Sequence, residues 1–292
     1  GNTSTTQPND VVEQESVDVV IVGICGPSGA GKSTVGREVA KALQSPMTPL
    51  SMDNFFCAAR CSALETWETV DGIDVDRFLA HVAAVKAAIQ KALKTGDVRQ
   101  LDSVSISGRR SPFVAETEAA TQLTDFVVDH RGAGGKMRVA LVIDGFLLLA
   151  FPEVCKLLSA VIVLKTAPEL ACVRRFSRGY SKVASHYKLQ GESLLQQFPE
   201  RHASVLPLDE ATALSVLDKD ADGTVLDVYC GYRLWYFADV YHHFCMNWPL
   251  QEANAKAIVG TERIVTVDNG VGVDISTVRR VVVDALLHLL EL

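Results

Sequence analysis

Residues Gly26–Ser33 read Gly-Pro-Ser-Gly-Ala-Gly-Lys-Ser, which satisfies the pattern G-x-x-x-x-G-K-[ST] in full. The apolar, β-branched run Val17–Cys25 precedes this stretch, and Lys32–Leu43 follows it with apolar residues at helical spacing. This order predicts a strand buried on both faces, a glycine-rich turn and a helix. The turn would present consecutive backbone N–H groups and a helix N-terminus to an anion, which predicts a phosphate-binding loop (P-loop) for a nucleoside triphosphate.

The chemistry of the loop assigns expected roles to its side chains. Lys32 is expected to reach the outer phosphates of ATP, and the Ser33 hydroxyl to bind Mg²⁺. Asp144, which follows the apolar run Arg138–Ile143, is a second expected Mg²⁺ ligand, although an acid there also suits a simple turn. The residues expected to contact the nucleotide are Gly26, Ser28, Gly29, Ala30, Gly31, Lys32, Ser33 and Thr34. The complete motif in this setting disfavours a glycine-rich turn without a ligand.

Apolar runs and helical spacing alternate along the rest of the chain. Further strands are predicted at Pro49–Met52, Arg138–Ile143, Ala160–Leu164 and Arg263–Val267. Helices are predicted at Asp74–Leu93, Pro168–Arg178, Tyr229–Trp248 and Ser276–Leu290. This alternation predicts an α/β protein: a P-loop three-layer α/β/α fold with a mostly parallel central sheet and a lid.

The organisation of the chain is predicted from its irregular segments. Residues 1–16 are mostly polar, and we expect a disordered tail there. Residues 97–135 and 181–227 show no regular helical or strand periodicity. A hairpin or an extended excursion fits residues 95–135 best, and residues 181–227 resemble an insertion. We therefore expect a single kinase domain at 17–292 with two insertions.

Composition excludes several functional classes. The net charge is −7, and the basic residues do not cluster as a nucleic-acid surface requires. The seven scattered cysteines suit a reducing compartment, so a cytoplasmic location is expected. No apolar stretch reaches the roughly 18–20 residues that span a membrane. The sequence leaves the oligomeric state open.

Other classes of P-loop protein fit less well. A GTPase would carry N-K-x-D, which is absent. A motor ATPase would carry an acidic pair after its second main strand, whereas this chain has one acid, Asp144, followed by Gly145. A kinase of a small molecule is therefore expected.

Several further segments resemble P-loop nucleoside kinases of the uridine kinase and nicotinamide riboside kinase type. The phenylalanine pair Phe55-Phe56 and the Gly-Phe-Leu-Leu segment Gly145–Leu148 are closer to nicotinamide riboside kinase than to uridine kinase. The matching segments follow the family's order and are Val22–Thr34, Met52–Phe56, Trp67–Asp74, Ile143–Leu148, Arg174–Tyr180 and Val267–Gly270.

The resemblance implies roles on the acceptor side. Asp53 matches the acid that accepts the proton of the attacking 5′-hydroxyl. Glu68 matches the acid that binds both ribose hydroxyls, and Trp67 an aromatic that packs on the base. Arg174 and Arg178 match lid arginines that contact phosphate. The other substrate-binding residues implied by the resemblance are Phe56, Arg175 and Tyr180.

The resemblance implies ATP-dependent phosphorylation of a ribonucleoside-like small molecule, with nicotinamide riboside favoured. The chain departs from the family at Glu68, where Asp is usual, and at Asp144, where nicotinamide riboside kinases have Glu. The alternatives are therefore a uridine or cytidine kinase, a kinase of another small alcohol such as pantothenate, glycerate or a sugar phosphate, and a degenerate kinase that only binds nucleotide.

Overall fold

A computed structural model describes residues 17–104, 137–179, 184–217 and 224–290 of the chain. The predicted tail at 1–16, most of the predicted excursion at 97–135 and the candidate residue Tyr180 lie outside these ranges. Over the described residues, no helix combines the length and apolarity needed to cross a membrane.

In the part of the chain that the structure describes, five parallel strands form the central sheet, in the order β2-β3-β1-β4-β5. The central strand β1 pairs with β3 from Val17 to Ile24 and with β4 from Val22 to Cys25. This arrangement confirms the predicted mostly parallel sheet. The strands are β1 (Val17–Cys25), β2 (Leu50–Ser51), β3 (Met137–Asp144), β4 (Ala160–Lys165) and β5 (Ile264–Asp268).

Helices connect the strands and cover both faces of the sheet. The α-helices are α1 (Lys32–Ala42), α2 (Ala58–Ala63), α3 (Val75–Thr95), α4 (Pro152–Cys155), α5 (Pro168–Ser177), α6 (Ala184–Gln197), α7 (Glu210–Leu214), α8 (Thr224–Trp235), α9 (His242–Asn254) and α10 (Ile275–Leu290). Two π-helical segments, Tyr236–Tyr241 and Ala255–Val259, follow α8 and α9. The described chain is therefore helical throughout 224–259.

Alternate side chains of β1 belong to different hydrophobic clusters, because successive residues of a strand point to opposite faces. Val19 and Ile21 pack in the cluster that contains Val82 and Val85 of α3. Val20, Val22 and Ile24 pack in the cluster that contains residues of α1 and α10. The sheet thus lies between two helical layers, which is the predicted three-layer α/β/α arrangement.

A third hydrophobic cluster joins α5 to α8. Leu170 and Phe176 of α5 are buried against Tyr229 and Tyr232 of α8. Helix α6 also packs along α8, so the segment predicted as an insertion at 181–227 contains regular structure that its sequence pattern did not predict.

A buried ion pair crosses this cluster. Arg233 Nε lies 2.9 Å from both carboxylate oxygens of Glu169, and the Tyr229 hydroxyl donates to the same carboxylate. Arg233 Nη2 also donates to the carbonyls of Leu206 and Pro207 at 2.7 and 2.8 Å. One guanidinium therefore links α5, α8 and the segment between α6 and α7.

Replacing Arg233 by Leu is expected to lower the free energy of unfolding by about 3–5 kcal/mol, because Glu169 would remain buried without its partner. Chemical denaturation measures this change. Lys256→Ala is the control, since Lys256 and Glu252 form an exposed pair and its loss should change stability little. Similar stabilities of the two variants would contradict the structural role of Arg233.

Candidate active site

The loop between β1 and α1 depends on glycine at its centre. Gly29 has φ +94°, in the left-handed region that residues with a Cβ rarely adopt. A Cβ at this position would also lie 2.0 Å from the carbonyl oxygen of Ala171 in α5. The loop can therefore approach α5 closely only because residue 29 has no side chain.

Lys32 begins α1 and turns its side chain back over the loop. Its Nζ atom donates to the carbonyls of Gly26 and Pro27, each at 3.1 Å. The side chain is buried, and the same ammonium lies 5.7 Å from the centre of the Phe146 ring. The lysine is thus held at the loop, where its charge is available to a phosphate.

Two residues distant in sequence hold other carbonyls of the loop. The Tyr236 hydroxyl donates to the Ser28 carbonyl at 2.8 Å, and Asn269 Nδ2 donates to the Ala30 carbonyl at 2.6 Å. The C=O and N–H of a planar peptide unit point in opposite directions, so an anchored carbonyl fixes the direction of the next N–H. These contacts therefore fix part of the N–H array that a phosphate needs. Neither contact was predicted from the sequence, although Asn269 lies in the matched segment Val267–Gly270.

A cavity of about 500 Å³ opens beside Ser28 of the loop. It brings together seven residues that the sequence analysis had selected: Ser28, Asp53, Phe56, Trp67, Glu68, Arg175 and Arg178. Four further residues line it that the sequence analysis had not selected: Phe146, Tyr187, Trp235 and Asp239. Phe146 lies in a matched segment, whereas the other three lie outside all of the matched segments.

Asp53 follows β2 in a short 3₁₀ turn, Met52–Phe55. The side chain is open to the cavity, but the surrounding protein removes much of its water, and this burial raises its pKa to about 6. The nearby carboxylates of Asp144 and Glu68 act in the same direction, whereas the positive charge of Lys32 opposes the shift. Asp53 is therefore a carboxylate that can exchange a proton near neutral pH.

Glu68 is buried and paired with the candidate lid helix α5. Its Oε1 atom lies 3.1 Å from Nη1 of Arg175, and the Arg175 guanidinium lies 5.4 Å from the centre of the Trp235 ring. The pair connects the loop before α3 with α5 across the cavity. A ligand that binds Glu68 or Arg175 would bind where these two elements meet.

The three arginines of α5 and its C-terminal end point to different places. Arg175 and Arg178 line the cavity. Arg174 instead donates to the carbonyls of Asn269 and Gly270, at 3.0 and 3.4 Å, in the loop after β5. The structure thus brings Arg175 and Arg178 to the cavity and joins Arg174 to the loop after β5, which also holds the Ala30 carbonyl.

Aromatic side chains form two walls of the cavity. Phe56 stacks on Phe146 with ring centres 5.8 Å apart and contacts Trp67 edge-on at the same distance. Tyr187 of α6 packs on Trp235 of α8 at 4.3 Å. Trp67 is 51% exposed, so much of its ring remains available to a ligand. Such walls suit a planar aromatic group.

The predicted Mg²⁺ ligands lie at the carboxyl edge of the sheet. Asp144 is 2% exposed and pairs with Ile24 of β1 and Ser51 of β2, while Ser33 is exposed in the first turn of α1. Hydroxyl and carboxylate oxygens suit Mg²⁺, which usually completes its shell with phosphate and water. Within the described ranges, no three or more His, Cys, Asp or Glu side chains converge as a metal site.

Comparisons with known proteins give only distant similarity. No family model matches the chain, and no curated protein matches it. Similar solved structures include thymidine kinase EHV4-TK complexed with TP4A (12% identity, TM-score 0.24), with Thy and ADP (13%, 0.25) and with TP5A (13%, 0.27). Each covers 93% of this chain and 90% of the other. With TM-scores this low, the fold assignment rests on the sheet and loop described above.

Asp53→Asn is expected to raise the melting temperature at pH 7. The pKa of about 6 exceeds the value of about 4 in an unfolded chain, so between these values the folded state binds more protons. The contribution of Asp53 to stability is therefore full below about pH 4 and is lost as the pH rises through about 6. Thermal melts at pH 4 and pH 7 should show a gain only at pH 7. An equal gain at both would contradict the shift.

Proposed function

We propose that this protein is an ATP-dependent kinase that transfers a phosphoryl group to the 5′-hydroxyl of a ribonucleoside-like small molecule, with nicotinamide riboside favoured. The observation that carries the proposal is the position of Asp53. Its carboxylate shares one cavity with Ser28 of the P-loop and with Glu68. A proton acceptor, a phosphate-binding loop and a hydroxyl-binding acid together form the parts that such a transfer needs.

On the donor side, the chain's own groups bind the nucleotide. Lys32 would exchange its bonds to the Gly26 and Pro27 carbonyls for the phosphates of ATP. The backbone N–H groups of the loop would bind further phosphate oxygens. Ser33 and Asp144 would hold Mg²⁺, which neutralises phosphate charge when bound.

On the acceptor side, Asp53 orients the 5′-hydroxyl and accepts its proton as the new O–P bond forms. Glu68 accepts hydrogen bonds from the two vicinal ribose hydroxyls, since one carboxylate has two oxygens and about four lone-pair sites. Arg175 and Arg178 lie in the same cavity and stabilise negative charge on the transferred group. The aromatic walls would enclose the base.

The composition of the cavity supports a cationic base. Phe56, Trp67 and Phe146 present aromatic rings close to Asp53 and Glu68. A positively charged pyridinium ring would gain from the ring faces, and the three acids of the cavity, Asp53, Glu68 and Asp239, outnumber its two arginines. This chemistry supports nicotinamide riboside over uridine and cytidine. All seven cysteines are free in the structure, which supports our further proposal of a cytoplasmic protein.

A panel assay tests the proposal. The protein, ATP and Mg²⁺ are incubated separately with nicotinamide riboside, uridine, cytidine, pantothenate, glycerate and sugar phosphates, and ADP is measured. We expect turnover of ribonucleosides, with nicotinamide riboside fastest. Turnover of another alcohol without any ribonucleoside would reject the assignment, as would nucleotide binding without any turnover.

Asp53→Asn is expected to reduce kcat by about 10²–10⁴-fold, because the acceptor hydroxyl loses its proton acceptor. The Kd of ATP, measured by calorimetry, should change little. In the wild-type protein, kcat/KM should fall below about pH 6 as Asp53 becomes protonated. Asp76→Asn, an exposed acid at the start of α3, is the matched control. Wild-type turnover in Asp53→Asn would disprove the role of Asp53.

Glu68→Gln is expected to weaken the preference for ribonucleosides over their 2′-deoxy analogues. A neutral amide replaces the charged acceptor, and the hydrogen bonds of the ribose hydroxyls lose about 1 kcal/mol or more. The measurement is the ratio of kcat/KM for the two analogues, which should fall about fivefold or more. Glu68→Asp keeps the charge and should retain the preference. An unchanged ratio in Glu68→Gln would place the ribose elsewhere.

A further inference from the structure

The π-helical segment Tyr236–Tyr241 connects α8 to α9, and its residue Asp239 lines the active-site cavity. A π-helical turn is rare, and such turns often occur at functional sites. Residues Tyr236–Val240 are all buried here. The Tyr236 hydroxyl is bonded to Ser28 of the P-loop, so this turn is held in register with the donor site.

Asp239 is the acid of this turn, and it lines the cavity although it is only 4% exposed. Its Oδ1 accepts a hydrogen bond from Thr66 Oγ1 at 3.1 Å. The Thr66 hydroxyl also accepts from the backbone N–H of Glu68 at 3.1 Å. Thr66 therefore links Asp239 to the loop that carries Trp67 and Glu68.

Two basic side chains lie behind Asp239. Arg201 Nη1 lies 3.6 Å from Oδ1, and His243 Nδ1 lies 3.2 Å from the same oxygen. His243 Nδ1 also lies 2.8 Å from the Asp239 carbonyl. A carboxylate offers about four lone-pair sites. On the other oxygen, Oδ2, the described contact is the longer one from the Thr66 hydroxyl, at 3.4 Å. The carboxylate therefore keeps capacity for a donor from the cavity.

The position of Asp239 indicates which part of a ligand it could bind. Trp235, four residues earlier, belongs to the aromatic wall, and residues four apart in a helix are neighbours on its surface. The acid therefore lies beside the wall on which a base would stack. Glu68 and Asp53 are assigned above to the ribose and the 5′-hydroxyl, which leaves Asp239 for the base.

We propose that Asp239 is a specificity-determining residue that accepts a hydrogen bond from an N–H group on the edge of the base. This inference rests on the proposed nucleoside kinase function. It selects bases that carry a carboxamide, imide or amino N–H. It also selects against bases that carry a carboxylate at that edge, since the two negative charges would repel.

The test compares the best ribonucleoside substrate with an analogue whose base N–H groups are methylated, such as N3-methyluridine for uridine or the N,N-dimethylcarboxamide for nicotinamide riboside. A hydrogen bond to a charged group corresponds to about tenfold or more in kcat/KM. The wild-type protein should therefore turn over the blocked analogue at least about tenfold less efficiently. Asp239→Leu should lose this difference, with the KM of ATP nearly unchanged.

Two variants separate recognition from a structural role. Thr66→Val removes the bond to Asp239 but keeps the carboxylate, so it should retain the discrimination against the blocked analogue. Asp239→Asn keeps one acceptor oxygen without the charge. Its discrimination against the blocked analogue should therefore be smaller than that of the wild type and larger than that of Asp239→Leu. If Asp239→Leu does not fold, the reduced discrimination of Asp239→Asn decides the question.

Three results would overturn the assignment of Asp239 alone: equal turnover of both analogues by the wild-type protein, full discrimination in Asp239→Leu or Asp239→Asn, and loss of discrimination in Thr66→Val as large as in Asp239→Leu. A wild-type protein that turns over no ribonucleoside would instead overturn the proposed function, and this assignment with it.

Discussion

The parallel pairing of β1 with both β3 and β4 is the constraint on which the site depends. It aligns Ile24 with Asp144 and Cys25 with Val163, so the carboxyl ends of three strands meet at one edge of the sheet. Ligands of open α/β sheets bind at this edge. The P-loop begins at this edge, β3 ends there with Asp144, and Asp53 follows the end of β2. Without this register, the donor and acceptor groups would not share a cavity.

The edge of the sheet is completed by contacts that are distant in sequence. Tyr236 and Asn269 hold carbonyls of the P-loop from 208 and 239 residues away. Arg174 connects α5 to the loop after β5 that contains Asn269, and Arg175 connects α5 to Glu68. The loop is therefore held by the C-terminal half of the chain, and nucleotide binding should depend on how that half packs.

Much of the fold could be predicted from the sequence because β1, β3 and β4 are buried on both faces and are therefore nearly continuous apolar runs. The predicted first and last residues of β1, Val17 and Cys25, are those of the structure. The helix predicted at Tyr229–Trp248 was too short, since the described helix spans 224–259 with two π segments that disturb the 3.6-residue period. The bonds of Asp239 to Thr66 and of Tyr236 to Ser28 were not predicted, because they join residues that are distant in sequence. The residues grouped in the cavity came mainly from local motifs, whereas the contacts of Arg174 depend on tertiary packing that no local pattern reveals.

The central claim is that the cavity beside the P-loop joins a phosphate donor to a nucleoside hydroxyl. The most direct measurement is mass spectrometry with ³¹P NMR on a ribonucleoside incubated with the protein and ATP in the presence of Mg²⁺. The account predicts a 5′-monophosphate formed in equal amount to ADP. ADP without a phosphorylated nucleoside, or phosphate on another ribose oxygen, would contradict it.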